Sequence, residues 1–175
     1  LLFDRFMGSP LAAFMPFINE PFLSEKLQDI IGKRSSEEVK VKSIRISRRF
    51  DFAYIGVLLI VLRISFLTVS KTLSNTDEEK YILANPIGMN VVNVAQMCLN
   101  QFRLLRRGAI PLLQCALFMR YYHKLAPEDG DGSDGGDSEV FLGMLLQMAN
   151  SIGLNRDLSH VHLLQTNQRL SNVWR

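Results

Sequence analysis

The sequence predicts an all-α fold, and three features lead to this prediction. Apolar residues recur at the three- and four-residue spacing of a helix face in several separate segments. A further segment, from Phe52 to Val69, is almost continuously apolar and long enough for a fully buried helix. Strand-like alternation of apolar and polar residues is confined to a basic stretch, residues 33–49.

Length and composition indicate a globular chain. It has 175 residues, of which 47% are hydrophobic and 21% are charged. The chain opens on Leu1 rather than methionine and closes on Arg175 inside a segment that looks continuous, so we expect a piece of a longer polypeptide. The whole chain, residues 1–175, is then part of one larger domain.

Charge is distributed unevenly, although the net charge of +3 defines no partner. Residues 33–49 carry seven basic and two acidic side chains, whereas residues 128–139 carry six acidic and no basic ones. The basic stretch suits an exposed linker, which is the preferred interpretation, or contact with a polyanion such as nucleic acid or an anionic membrane.

The opening segment, from Leu1 to Leu27, is apolar but interrupted. Gly8, Pro10, Pro16 and Pro21 break it, so it predicts short helices and turns rather than one long helix. Its phenylalanines either form core or line a ligand pocket, and core is the commoner role. These residues are Phe3, Phe6, Phe14, Phe17 and Phe22.

The segment from Phe52 to Val69 raises two alternatives, a membrane span and a buried helix. Its length nearly reaches the roughly 20 residues that cross a bilayer. Arg63 lies in the middle, however, and a central arginine costs about 3 kcal/mol on membrane insertion scales. We therefore expect a buried helix from which Arg63 reaches solvent or a carboxylate.

Two further helices follow a polar break expected at Asn75 to Lys80. One runs from about Val91 to Leu105 and is closed by Gly108, and the next begins near Pro111, a first-turn position for proline. Their short connection predicts an antiparallel pair. The pair carries both cysteines, Cys98 and Cys115, on its apolar faces, which predicts reduced core residues.

An acidic, glycine-rich loop, residues 126–138, is expected to precede the last helix. That helix should run from Ser138 to Ile152 and stop at Gly153 in the left-handed conformation. Aspartates that alternate with glycines in this loop suggest calcium binding. A twelve-residue calcium loop starting at Asp129 has Val140 where a bidentate glutamate is required, so the sequence predicts no calcium site.

Catalytic motifs are missing from the sequence. It has no nucleophile elbow, phosphate-binding loop or dinucleotide fingerprint. His123, His160 and His162 have no cysteine or glutamate at metal-ligand spacing, and the last two are expected to be exposed. The sequence therefore predicts a protein that is not an enzyme, assigns no catalytic or metal-binding residue, and leaves any cofactor-binding residues unknown.

Residues 142–157, LGMLLQMANSIGLNRD, resemble the most recognisable part of the fungal-specific transcription factor domain. This domain is the middle regulatory region of fungal zinc-cluster regulators. Leu170 and Trp174-Arg175 follow at the expected positions, while residues 114–117 and Asp137-Ser138 fit the pattern upstream. The resemblance covers about the last seventy residues well and the first hundred loosely. It implies a multi-helix array within a larger regulatory domain.

The resemblance also implies what the parent protein does. It implies a nuclear regulator of RNA polymerase II transcription that binds DNA through a Zn2Cys6 module. That zinc module is not in this chain, whose two cysteines cannot supply it. Implied partners are DNA, the transcription machinery, a second regulator in a homodimer or heterodimer, and a small apolar effector such as haem or a fatty acid. No membrane partner is implied.

Two other functions stay open from the sequence. One is a helical membrane-associated protein that uses residues 52–69, and the other is a helical protein–protein scaffold unrelated to DNA.

Overall fold

The computed structural model describes residues 1–15, 17–32, 43–70, 76–102, 108–126 and 135–156. Within these ranges the chain forms eight α-helices and no strand, which confirms the predicted all-α fold. The helices are α1 (Leu2–Met7), α2 (Pro10–Ala13), α3 (Glu20–Ile31), α4 (Asp51–Ser70), α5 (Asp77–Ala84), α6 (Asn90–Asn100), α7 (Ile110–Leu125) and α8 (Gly135–Ser151).

The core is built around α4, the almost continuously apolar segment. Helices α1, α3, α5, α6 and α7 all contact it. Because partners lie on several of its sides, apolar residues are needed around most of its circumference. Ala53, Ile60 and Val61 are fully buried. The helix α4 therefore serves as the centre of a helical domain.

A glycine allows α4 to approach α6 and α7 closely. A Cβ atom built at Gly56 would lie 2.7 Å from the Sγ atom of Cys115 and 3.7 Å from the Cβ atom of Cys98. The first distance is shorter than any normal contact, so a side chain at Gly56 would push the helices apart. Both cysteines are free and buried, which confirms their predicted place in the core.

Short helices form the opening of the chain, as predicted. Two of the prolines, however, begin helices instead of interrupting them: Pro10 and Pro21 lie in the first turns of α2 and α3. The Asn19 side chain caps α3 by accepting a hydrogen bond of 3.0 Å from the backbone N–H of Phe22. Helix α3 is therefore a full helix of twelve residues rather than a short turn.

The polar break expected at Asn75 to Lys80 was wrong. Helix α5 begins at Asp77, where the Oγ1 atom of Thr76 accepts a hydrogen bond from the backbone N–H of Glu79 at 3.3 Å. The residues Asp77, Glu78 and Glu79 lie in the first turn, where acidic side chains favour a helix. The same polar residues that looked like a break are a helix start signal.

Helix α6 ends earlier than the expected end near Leu105. Its last residue is Asn100, and Gln101 and Phe102 form a turn. The Arg49 guanidinium donates a hydrogen bond to the backbone carbonyl of Gln101, a group that would accept an amide in a continuing helix. Gly108, the residue expected to close this helix, is separated from its end by residues 103–107, which lie outside the described residues.

The last two helices largely follow the predictions. Pro111 lies in the first turn of α7, as expected. Helix α8 begins at Gly135 rather than Ser138, so the end of the expected acidic loop is helical, and residues 127–134 lie outside the described part. Gly153 adopts φ of +83°, as predicted for the residue that follows this helix. The antiparallel arrangement of α6 and α7 stays a prediction.

Candidate functional site

A small cleft lies between the start of α3 and the helices α4 and α7. Its empty volume is about 260 Å³, including its open mouth. Much of that volume is open solvent, so the enclosed space is far below the roughly 300–1,000 Å³ of a typical small-molecule site. It is lined by Ile18, Asn19, Phe22, Leu23, Tyr54, Val57 and Gln114.

Aromatic side chains close the space beside the cleft. The Phe17 ring lies 5.1 Å from the Phe118 ring and 5.9 Å from the Tyr121 ring, measured between centroids. The amide of Gln114 donates a hydrogen bond of 2.5 Å to the backbone carbonyl of Phe17, which ties the opening segment to α7. This wall is therefore fixed by both packing and a hydrogen bond.

The opening phenylalanines divide between the two roles considered for them. Phe6 is buried in the core, where its ring lies 6.1 Å from that of Phe118. Phe22 lines the cleft, with its ring 6.1 Å from that of Tyr54. Phe14 takes neither role because it is exposed.

Burial raises the pKa of three weakly acidic side chains in the helical core, which therefore stay neutral at physiological pH. Burial, followed by the charge of Asp51, raises the pKa of the Tyr54 hydroxyl. Burial raises the pKa of the Cys98 thiol, and burial together with the neighbouring Cys98 raises the pKa of Cys115 to about 12. A thiol reacts as its thiolate, so these cysteines are poor nucleophiles.

The described ranges contain no group of three or more histidine, cysteine, aspartate or glutamate residues that could hold a metal ion. His123 is exposed and lies against the ring of Tyr122, while His160 and His162 lie outside those ranges. The buried carboxylate of Glu79 is 2.9 Å from the guanidinium of Arg5, an ion pair that joins α5 to α1. This ion pair therefore acts in helix packing.

Arg63 was expected to reach either solvent or a carboxylate, and the solvent alternative was wrong. The residue is 9% exposed, and its guanidinium donates a hydrogen bond of 2.5 Å to the backbone carbonyl of Ile87. It also lies over the ring of Phe66, at 5.9 Å from the centroid. Residues 51–69 are long and apolar enough to cross a membrane. Helix packing around α4 nevertheless accounts for that composition, and it favours the buried-helix alternative.

The segment from Ser43 to Phe50, here called the pinned segment, is exposed and contains the last seven residues of the basic stretch, followed by Phe50. It lacks regular secondary structure up to Ser47 and then turns into α4. The backbone N–H of Arg45 donates to the carbonyl of Ile30 at 2.8 Å. The N–H groups of Ser47 and Arg48 both donate to the Oδ2 atom of Asp51, at 2.8 and 2.7 Å.

The end of the pinned segment is fixed by aromatic stacking. The rings of Phe50 and Phe102 are nearly parallel, with centroids 5.8 Å apart, and the Arg49 guanidinium lies over the Phe102 ring at 5.3 Å. Sequence reasoning expected a linker in this region. The signal it missed was Asp51, which follows the basic residues and can accept their backbone N–H groups.

Known relatives indicate the class of protein to which this helical chain is similar. The chain is 39% identical to multidrug resistance regulator 1 of Candida albicans over an alignment of 188 positions, gaps included, that covers 99% of this chain. It is 22% identical to oleate-activated transcription factor 1 of Saccharomyces cerevisiae and 22% identical to multidrug resistance regulator 2 of C. albicans, over 83% and 84% of this chain.

The chain is thus related to fungal transcription regulators. It spans 17%, 15% and 19% of the lengths of these three relatives, so each of them is several times longer. No protein-family model matches the chain. No solved structure matches it either.

Proposed function

We propose that this chain is a segment of the regulatory middle region of a fungal zinc-cluster transcription factor. The observation that carries the proposal is the 39% identity to multidrug resistance regulator 1 over 99% of the chain. Its helical fold is compatible with such a role because it offers a scaffold rather than a reaction centre. In this proposal the segment helps control transcription by RNA polymerase II and catalyses no reaction.

The mechanism is a shift between two states of the regulator. In one state the helical scaffold restrains an activation region elsewhere in the parent protein, and in the other it releases that region. An effector can drive the change only if it binds one state more tightly than the other. The arrangement of five helices around α4 supports this mechanism, because a rigid core transmits a local change to its neighbours.

The effector in this proposal is a small apolar molecule. One relative is named as activated by oleate, a long apolar acid, which supports this class. The cleft beside Phe22 and Tyr54 is smaller than the pockets that usually hold such ligands. We therefore place the effector site in parts of the parent protein beyond the described residues, with the cleft at most at its border.

The remaining features of the proposal belong to the parent protein. It is nuclear, binds DNA through a zinc cluster outside this chain, and acts as a homodimer or heterodimer that contacts the transcription machinery. The zinc is held by that cluster, since the described residues offer no metal site.

The test is a reporter gene under a promoter that the parent regulator occupies. The parent is expressed either intact or with residues 1–175 of this chain deleted in frame, and promoter occupancy is measured by chromatin immunoprecipitation. We expect the deletion to raise reporter output without effector at unchanged occupancy. Unchanged output and unchanged induction would overturn the proposal, and would favour a helical scaffold unrelated to DNA.

A further inference from the structure

We infer that the pinned segment is a docking surface for an acidic peptide with interspersed apolar side chains. The surface combines three arginines, Arg45, Arg48 and Arg49, with the apolar side chains of Ile44, Ile46 and Phe50. Ile44 is 58% exposed and Ile46 is 45% exposed. Positive charge and exposed apolar area thus occur together along eight residues.

The arginines have charge available for a partner. In the part of the chain that the structure describes, Arg45, Arg48 and Arg49 form no ion pair. The nearby carboxylate of Asp51 is 8% exposed and accepts two backbone N–H groups, so it is occupied in fixing the segment. The surface therefore presents unneutralised cations to carboxylates of a partner.

The backbone of the surface is already fixed, which favours binding. Hydrogen bonds to Ile30 and Asp51 hold its first half, and the stacking of Phe50 on Phe102 holds its end. A preorganised surface loses little conformational entropy when a partner docks. The exposed side chains are consequently displayed on a defined backbone rather than on a free linker.

The apolar side chains distinguish a peptide from a nucleic acid. Phosphate contacts use cations and hydrogen-bond donors, and they give no role to Ile44 and Ile46. Disordered segments that alternate acidic and apolar residues match both halves of the surface, and this composition is that of amphipathic activation regions. The chain's own residues 128–138 are acidic but carry no large apolar side chain, so they supply only the charge.

The identification of the partner as an activation region rests on the proposed function, whereas the surface itself does not. A direct binding experiment separates the two. The probe is a fluorescein-labelled synthetic peptide of about fifteen residues in which glutamates alternate with leucines and phenylalanines. Its anisotropy is followed during titration with the full 175-residue chain at low salt.

Two double variants remove one half of the surface each. R45S/R48S removes charge, and I44S/I46S removes apolar area. We expect each to weaken peptide binding roughly fivefold or more. Ion pairs at a surface, and isoleucines that become partly buried in the complex, each contribute on this scale. Matched controls change exposed residues elsewhere: K124S/R156S for charge and V94S/M97S for apolar area, both expected to bind as the parent chain does. Thermal melts followed by circular dichroism check that all variants fold.

Three outcomes would overturn the inference. The first is absence of peptide binding, and the second is equal weakening by the control variants. The third is tighter binding of single-stranded DNA of similar length with no effect of I44S/I46S, which would assign the surface to nucleic acid. Failure of peptide binding would leave the reporter test of the proposed function valid, because that test deletes the whole chain and does not depend on which of its surfaces contacts the partner.

Discussion

Helices α4 and α8 are both rich in apolar residues, yet they have different surroundings. Five helices contact α4, and its residue Ile60 is completely buried. Helix α8 packs against α7, and Leu145 and Met148 on it are buried, whereas Val140, Leu142 and Leu146 are exposed. Apolar sequence thus predicts a helix in both cases, but it does not reveal how many partners cover that helix.

The largest contrast is expected in thiol reactivity. Cys115, which lies in α7 close to Gly56 of α4, should react with iodoacetamide roughly a thousandfold more slowly in the folded chain than in urea near pH 8. The reason is that its pKa is raised to about 12. An exposed thiol on α8, introduced as Leu146→Cys, should react at the rate of a free thiol. Equal protection of both sites, measured by mass spectrometry, would contradict the contrast.

The same thiol predicts a dependence of stability on pH. Folding raises the pKa of Cys115 above its ordinary value of 9.0, so the folded state favours the neutral thiol. This contribution is fully present below pH 9 and is lost as the pH rises toward 12. Urea unfolding between pH 8 and 11 should show stability falling less in Cys115→Ala than in the parent chain.

Truncating one side chain in each helix should lower the free energy of unfolding much more in α4 than in α8. Ile60→Ala in α4 is expected to lower the free energy of unfolding by about 3 kcal/mol, because it leaves a cavity in a covered position. Leu146→Ala on α8, where the residue is 58% exposed, should change it by less than about 0.5 kcal/mol. Urea denaturation measures both, and similar losses would mean that α8 is covered in solution.

The close approach of α4 to α7 at Gly56 can be tested by adding a side chain there. Gly56→Ala should cost about 2 kcal/mol, since the added methyl group would lie 2.7 Å from the Sγ atom of Cys115. Removing that sulfur should relieve the clash. In a double-mutant cycle with Cys115→Ala, we expect a favourable coupling of at least about 0.5 kcal/mol. Additive effects would locate the strain elsewhere.

A smaller effect is expected where the pinned segment meets α4. Asp51→Ala removes the acceptor for two backbone N–H groups and should cost about 1–2 kcal/mol. Hydrogen exchange should rise at Ser47 and Arg48 while it stays slow at Ile60. Asp51→Asn retains an acceptor oxygen and serves as the control. Unchanged exchange at Ser47 in Asp51→Ala would show that other contacts hold the segment.

These helices also show how far the sequence alone could be read. Continuous apolar residues were enough to predict α4, and Pro111 and Gly153 marked helix boundaries correctly. Helix α5 was missed although Thr76 and the acidic residues after it are a local start signal. That signal is present in the sequence, but the polar composition of the same residues is also typical of a loop between helices.

Other features depend on distant contacts and could not be predicted. The end of α6 coincides with a hydrogen bond from Arg49, 52 positions away from Gln101. The burial of Arg63 depends on a carbonyl group at Ile87, and the need for Gly56 depends on Cys115. The spacing of apolar residues is a property of one segment, so it cannot predict which residues of other segments that helix will contact.

The proposal that the parent protein is a zinc-cluster transcription regulator is tested most directly by the gene sequence upstream of the Leu1 codon. We predict a six-cysteine cluster interleaved with lysine and arginine in the same reading frame, because such a cluster supplies the zinc site and the DNA contacts. A complete reading frame without that cluster would contradict the claim and leave a helical interaction domain.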